Sequence, residues 1–185
     1  MAYKAVDVAK WILSAAKSQG IVMTHMKLQK LLYYAQAYAL GMSGQPLFVD
    51  EIQAWKHGPV IPTVYRAYSK YERAPIQDIE DTPIPDDEVA LIHSLIFDKG
   101  RLTASDLRKF THEEAPWKDA WEKWEGCGPM PNIPTEAIEA YFAPQFWASD
   151  EENDYQPVLA SPEEEREYFL EHITDEERHA ICESR

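Results

Sequence analysis

The longest run of patterned apolar residues follows Thr24 and predicts a helix over residues 26–42. Its apolar residues recur three or four positions apart, which places them on one helical stripe facing a core. Thr24 can cap the first turn, and Gly41 and Gly44 stand near the end, where a left-handed residue is often needed. The tyrosines of this segment extend the apolar surface beyond the stripe, so we expect a central helix with neighbours on several sides. The residues of the stripe are Leu28, Leu31, Leu32, Ala35, Ala39 and Met42.

Shorter patterns of the same kind predict helices over residues 3–19, 62–71, 86–97 and 135–142 or a little beyond, and two more that begin after Thr103 and at Pro116. Residues 51–56 predict one short extended segment. Gly58-Pro59 predicts a turn after it, because proline fixes its own φ and restricts the residue before it. The expected fold class is therefore mainly α: a single compact domain of six or seven helices with at most a short β element.

Acidic residues are concentrated at the end of the chain. The net charge is −14, and residues 148–185 hold 13 acidic and 3 basic side chains. We therefore expect a domain over residues 1–147 and an acidic C-terminal extension over residues 148–185, with a helix beginning at Ser161. This charge disfavours nucleic acid as a direct ligand and favours a protein partner with a basic surface. The extension is expected to affect association more than stability.

The sequence carries no recognised catalytic or metal-binding pattern. His112-Glu113-Glu114 lacks the second histidine one turn later that a metalloprotease motif requires. A phosphate-binding glycine loop, a nucleophile elbow and a CxxC pair are also missing. We therefore expect no enzymatic activity, no cofactor and no metal. Without an apolar leader or a membrane-length apolar run, the expected location is the cytoplasm.

Two separated blocks of sequence resemble the Panacea antitoxin domain family, which is also described as SocA-like or as GepA-type phage-associated protein. The first block contains LQKLLYYAQAYAL, then PLF, then IQAWKHGPVIPTVYRAY. The second is LRKFTHEEAPWKDAW over residues 107–121. The resemblance extends over about residues 3–142, and both the order and the separation of the blocks agree with it.

The resemblance implies an antitoxin of a toxin–antitoxin system that neutralises a cognate toxin by direct protein–protein binding. An alternative within the same family is a proteolytic adaptor that delivers a toxin to a AAA+ protease, or a phage-associated regulator. The antitoxin and the adaptor or regulator are both compatible with the sequence, and an enzyme is the least favoured of the three hypotheses.

The family motifs also indicate which residues contact a partner. On the helix predicted over residues 26–42 these are Lys27, Lys30 and Tyr34, for which a solvated helix face is the competing interpretation. The turn and the helix after it add His57, Gly58, Pro59 and Tyr65 to this predicted surface. A structural role in shaping the turn competes for the Gly-Pro pair. A structural role is expected for Trp55, His112, Glu113, Pro116 and Trp117.

Overall fold

The computed structural model describes residues 2–77, 79–124 and 126–147, and these residues form a mainly α domain, as predicted. Its helices are α1 (Ala5–Ser18), α2 (His25–Ser43), α3 (Pro62–Tyr68), α4 (Asp86–Lys99), α5 (Ala104–Glu113), α6 (Ala115–Glu122) and α7 (Thr135–Trp147). A short 3-10 turn, Ser69–Tyr71, extends α3, and β1 (Gln53–Trp55) and β2 (Gly58–Val60) form a small hairpin. The expectations for residues 148–185, including the helix at Ser161, lie outside the described residues.

Helix α2 lies at the centre of the domain, as its apolar tyrosines predicted. It packs against α1, α3, α4, α5, α7 and β2, and its buried residues cover all of its faces. One residue of the predicted stripe, Met42, is instead 50% exposed. It lies in the last turn of α2, and residues 43–46 after it are exposed as well.

Local capping signals place several helix ends where the sequence predicted them. The hydroxyl of Thr24 accepts a hydrogen bond from the backbone N–H of Lys27 at 3.3 Å, and Gly44 ends α2 with a left-handed φ of 66°. Thr103 and Asp106 form a reciprocal capping box at the start of α5. These contacts satisfy backbone groups that a helix terminus leaves without partners.

The predicted turn at Gly58-Pro59 is wrong by two residues. Both residues belong to β2, and the chain reverses at residues 56–57 instead. The strands pair antiparallel, with Trp55 opposite Gly58 and Ala54 opposite Pro59. Proline can occupy this position because it lies opposite Ala54, whose N–H points to the other edge of β1, so the missing N–H of Pro59 removes no bond between the two strands. The other edge of β1 is covered by the loop before α7, where Ala54 N donates to Pro131 O at 2.8 Å.

Helix α7 begins at Thr135, as predicted, and packs along α2. It continues past Phe142 to Trp147 with Pro144 inside it. A Cβ on Gly41 of α2 would overlap the ring of Phe146, so glycine allows the two helices to approach closely there. None of the helices in the described ranges combines the length and the apolar character that crossing a bilayer requires.

Candidate partner-binding site

The three α2 residues expected on a surface are buried in the domain. Lys27, Lys30 and Tyr34 are only 4%, 1% and 2% exposed. The interpretation of a solvated helix face is therefore wrong. The stripe pattern assumed one buried face, whereas the hairpin and α5 cover the polar side of α2 as well. The ammonium of Lys30 donates a hydrogen bond to the carbonyl of Pro59 at 3.0 Å, which offsets part of the cost of its burial.

Gly58 closes the hairpin onto this buried lysine. Its φ is +100°, a conformation that side chains with a Cβ rarely adopt. A Cβ there would lie 2.8 Å from both Lys30 Nζ and Thr111 Oγ1. Neither atom can swing into water, because Lys30 is 1% exposed and Thr111 is fully buried. Glycine is therefore required by both the backbone conformation and the close packing.

We expect Gly58→Ala to destabilise the domain more than Gly128→Ala does. Gly128 also has a left-handed φ, 84°, but no atom lies within 4 Å of a Cβ placed on it. The control thus carries the backbone strain without the overlap, and overpacking should add about 1–3 kcal/mol at Gly58. Chemical denaturation of both variants measures the difference. Equal losses of stability in the two variants would show that Lys30 and Thr111 move away from the new Cβ at little cost.

The second motif forms an aromatic cluster beside the hairpin. The indole N–H of Trp117 donates to the carbonyl of Trp55 at 2.9 Å, and the imidazole of His112 stacks on Trp117 with ring centres 3.9 Å apart. Burial lowers the pKa of His112 to about 4, and the nearby cations of Arg108 and Lys30 act in the same direction. His112 is therefore neutral at neutral pH and packs as a flat ring at the junction of α5 and α6.

The remaining predicted partner residues do not form one exposed surface. Gly58 and Pro59 are buried, and His57 and Tyr65 are half-buried. The ring of Tyr65 packs on Trp55, with the centres 4.9 Å apart. Direct contact with a partner requires exposed side chains, and Gly58 and Pro59 do not provide them because they are buried. Contact through His57 and Tyr65 stays a prediction. Of the predicted structural residues, Glu113 is exposed and Pro116 is buried.

A buried carboxyl lies at the start of α6, where the sequence predicted no site. Glu114 is 8% exposed, and its Oε1 accepts a hydrogen bond from the hydroxyl of Tyr34 at 2.7 Å. Its other oxygen, Oε2, is also buried and has no hydrogen-bond partner among the described residues. The hydroxyl of Tyr33 is also buried without a partner in good hydrogen-bond geometry in the described ranges, but it lies close enough to Glu114 to lower the pKa of the carboxyl as a donor does.

Burial raises the pKa of Glu114 from 4.5 to about 7. The hydroxyls of Tyr34 and Tyr33 and the ammonium of Lys99 oppose this change, and the charge of Glu113 adds to it. Removal from water disfavours the charged form of a carboxyl, and this effect outweighs the opposing ones of Tyr34, Tyr33 and Lys99. The carboxyl therefore exchanges its proton near neutral pH.

Glu114 lines an open groove of about 690 Å³ between α2, α4 and α7. Tyr34 and Tyr38 of α2 form part of its wall, and the hydroxyl of Tyr38 donates a hydrogen bond to Asp98 of α4. Lys99 pairs with Asp98 at 3.2 Å and lies 5.4 Å from the ring centre of Tyr34. The groove thus combines aromatic walls with two carboxylates and one ammonium.

An exposed phenylalanine stands at the edge of this groove. Phe97 of α4 is 86% exposed, and Phe146 of α7 is 36% exposed. Sequence reasoning named Phe97 only as a helix end and gave Glu114 no role. A signal for Phe97 was available, because it lies outside the stripe of α4 formed by Ile92, Leu95 and Ile96. Nothing in the sequence near Glu114 marks it as buried, since its burial depends on α2 and α7.

No group of three or more His, Cys, Asp or Glu residues in the described ranges could hold a metal ion. The single described cysteine, Cys127, is exposed and forms no disulfide. The groove offers charged, hydrogen-bonding and aromatic groups for recognition.

Comparison with known proteins identifies the family. The model described as "Antitoxin SocA-like, Panacea domain" matches residues 28–118. Just under half of the chain thus matches the SocA-like Panacea domain family. The resemblance stated from the sequence motifs is thereby confirmed. The Panacea match begins in α2, includes the hairpin and ends in α6, so it contains both Gly58 and Glu114.

A curated relative of this Panacea chain is Antitoxin SocA of Caulobacter vibrioides (strain NA1000 / CB15N). The two sequences are 36% identical over 124 residues, which is 60% of this chain and 66% of the relative. The chain therefore spans just under two thirds of the length of the relative it matches. No solved structure matches the chain.

Proposed function

We propose that this chain is an antitoxin that neutralises a protein toxin by binding to it directly in the cytoplasm. The observation that carries the proposal is the similarity to Antitoxin SocA, 36% identical over 124 residues. The Panacea match over residues 28–118 supports the same role. The proposal includes no enzymatic step, so the protein acts by forming a complex with its partner.

The charge of the chain supports a basic partner. The net charge is −14, and most of it lies in residues 148–185. An acidic protein meets a basic partner faster, and the rate gain falls as salt screens the charges. We therefore infer that the toxin presents a basic surface and that association slows in high salt.

The proposal is tested by growth rescue. Each protein encoded beside this gene is expressed alone and together with the full chain. One of them is expected to stop growth alone, to permit growth with the full chain, and to copurify with it. A toxin unrelated to this gene neighbourhood serves as the specificity control. The proposal fails if neither neighbour is toxic, or if a toxic neighbour is not rescued.

The same assay distinguishes binding from delivery to a protease. Direct neutralisation restores growth in hosts that lack individual AAA+ proteases and leaves the toxin level unchanged. Rescue that requires one protease, together with loss of the toxin, would instead establish the adaptor alternative.

A further inference from the structure

The groove between α2, α4 and α7 is lined by a buried carboxyl whose hydrogen bonds are incomplete. Glu114 is 8% exposed, yet its Oε2 has no hydrogen-bond partner among the described residues. Buried carboxylates are normally paired or fully hydrogen-bonded, because an unsatisfied buried acceptor is costly. Because Glu114 lines a groove open to solvent, a cationic ligand in the groove would lie beside this carboxyl and favour its charged form.

We propose that this groove receives a lysine or arginine side chain of the protein partner, whose cationic head pairs with Glu114. The inference deepens the proposed function and rests on it for the identity of the partner. The toxin residue would lie with its aliphatic stem against Tyr34 and Phe142 and its head at the carboxyl.

The charges around the groove favour a cation over an anion. Asp98 and Glu114 both line it, and the only lysine among its lining residues, Lys99, is paired with Asp98. The acidic segment 148–185 follows directly after α7, which forms one wall of the groove. That segment carries 13 acidic residues against 3 basic ones, so its own charge disfavours it as the occupant.

The edge of the groove fits a protein partner better than a free small cation. Phe97 is 86% exposed beside it, and large exposed aromatics rimmed by polar groups are typical of protein interfaces. Phe146 lies on the opposite helix and is 36% exposed. A partner segment with apolar residues beside its basic side chain would bury both rings and gain affinity from their area.

The ionisation of Glu114 couples this binding to pH. The ionisable groups around it are Tyr33, Tyr34 and Tyr38 of α2, His93, Asp98 and Lys99 of α4, Glu113 of α5, and Tyr141 of α7. Because burial raises the pKa of Glu114 to about 7, a bound cation must favour loss of its proton. Binding is therefore expected to strengthen as the pH rises from about 6 to about 8.

The first test uses a defined probe on the full chain. The peptide acetyl-Leu-Arg-Leu-amide is compared with acetyl-Leu-citrulline-Leu-amide, which has the same shape without the charge. Amide NMR shifts should change at Ser94, Phe97 and Gln145 with the arginine peptide, and the citrulline peptide should bind at least about tenfold more weakly. His93→Gln should retain the rise in affinity with pH.

Two variants block the site in different ways. Glu114→Gln keeps the size of the side chain but removes its charge, and Ser94→Arg adds a competing guanidinium inside the groove while leaving Glu114 in place. Both should lose at least about tenfold in affinity for the arginine peptide. Ala90→Arg is the matched control, since it adds the same charge at an exposed position of α4 outside the groove lining. Unchanged binding in both blocking variants, or shifts elsewhere than in the groove, would overturn the inference.

The second test uses the toxin found by growth rescue. Glu114→Gln and Ser94→Arg should weaken its binding at least about tenfold, whereas Ala90→Arg should bind normally.

If the full chain rescues growth and both blocking variants bind the toxin normally, the groove inference falls and the antitoxin proposal stands. If the arginine peptide binds the groove but no toxin is rescued, the antitoxin proposal falls and the cation site stands. Self-association abolished by Ser94→Arg would identify a second copy as the occupant and overturn the inference.

Discussion

Trp117→Ala is expected to lower the free energy of unfolding by about 3–5 kcal/mol, the range for truncating a large buried aromatic side chain. Trp117 is 6% exposed and stacks on both His112 and Trp121. Its loss would leave a cavity between α6 and the hairpin. The carbonyl of Trp55 would also lose the indole donor at 2.9 Å, which adds a desolvation cost.

Trp124→Ala provides the control for this prediction. Trp124 is half-buried, and its indole donates to the carbonyl of Cys127 at 3.2 Å in a nearby loop. Its truncation should cost about 1 kcal/mol or less, as for most partly exposed positions. Urea denaturation of the two variants, followed by far-UV circular dichroism, measures both effects. Similar losses at the two positions would contradict the assignment of Trp117 to the core.

Glu114→Gln is expected to benefit the domain more at pH 8 than at pH 4. The free energy of unfolding of the variant minus that of the native protein should rise by about 3 kcal/mol between these two pH values. In the folded chain, burial raises the pKa of Glu114 from 4.5 to about 7. The folded state therefore holds a proton that the unfolded state has released between these two values. The stability that this proton provides is complete below pH 4.5 and is lost as the pH rises through 7.

The glutamine variant is needed to isolate this effect. Burial lowers the pKa of both His25 and His112 from 6.5 to about 4, so their contribution falls as the pH falls. The histidines therefore change the stability in the opposite direction to Glu114 over an overlapping pH range. Their contribution is the same in the native protein and in Glu114→Gln. The measurement is the free energy of unfolding of the native protein and of Glu114→Gln at several pH values between 4 and 8. A difference independent of pH would show that Glu114 titrates normally.

Local signals in the sequence predicted most of the helices. The N-cap at Thr24 and the capping box at Thr103 depend on residues three positions apart, so a short window contains all the information. Pro144 locally argues against the continuation of α7 beyond Phe142. The packing of Phe146 against Gly41 of α2 outweighs that preference, and this contact is visible only in the fold.

The candidate site was less predictable for the same reason. Lys30 is a charged residue on a helix, which usually indicates a surface, but the carbonyl of Pro59 satisfies it in the interior. Glu114 becomes a buried carboxyl only because Tyr34, 80 positions earlier in the chain, lies against it. The family motifs predicted a partner contact on the hairpin side of α2, whereas the groove lies on the side of α2 that faces α4 and α7.

The close approach of α7 to Gly41 also affects the order in which the protein can fold during synthesis. About 100 residues separate the two contacting segments, so the core around α2 is closed by one of its most distant partners in the chain. While the ribosome is still making the chain, the α2 surface that α7 will cover has no such cover. Apolar surface left open in this way exposes a nascent chain to aggregation and to chaperones. The last described helix is therefore the one that completes the hydrophobic core, and folding of the domain must wait for it.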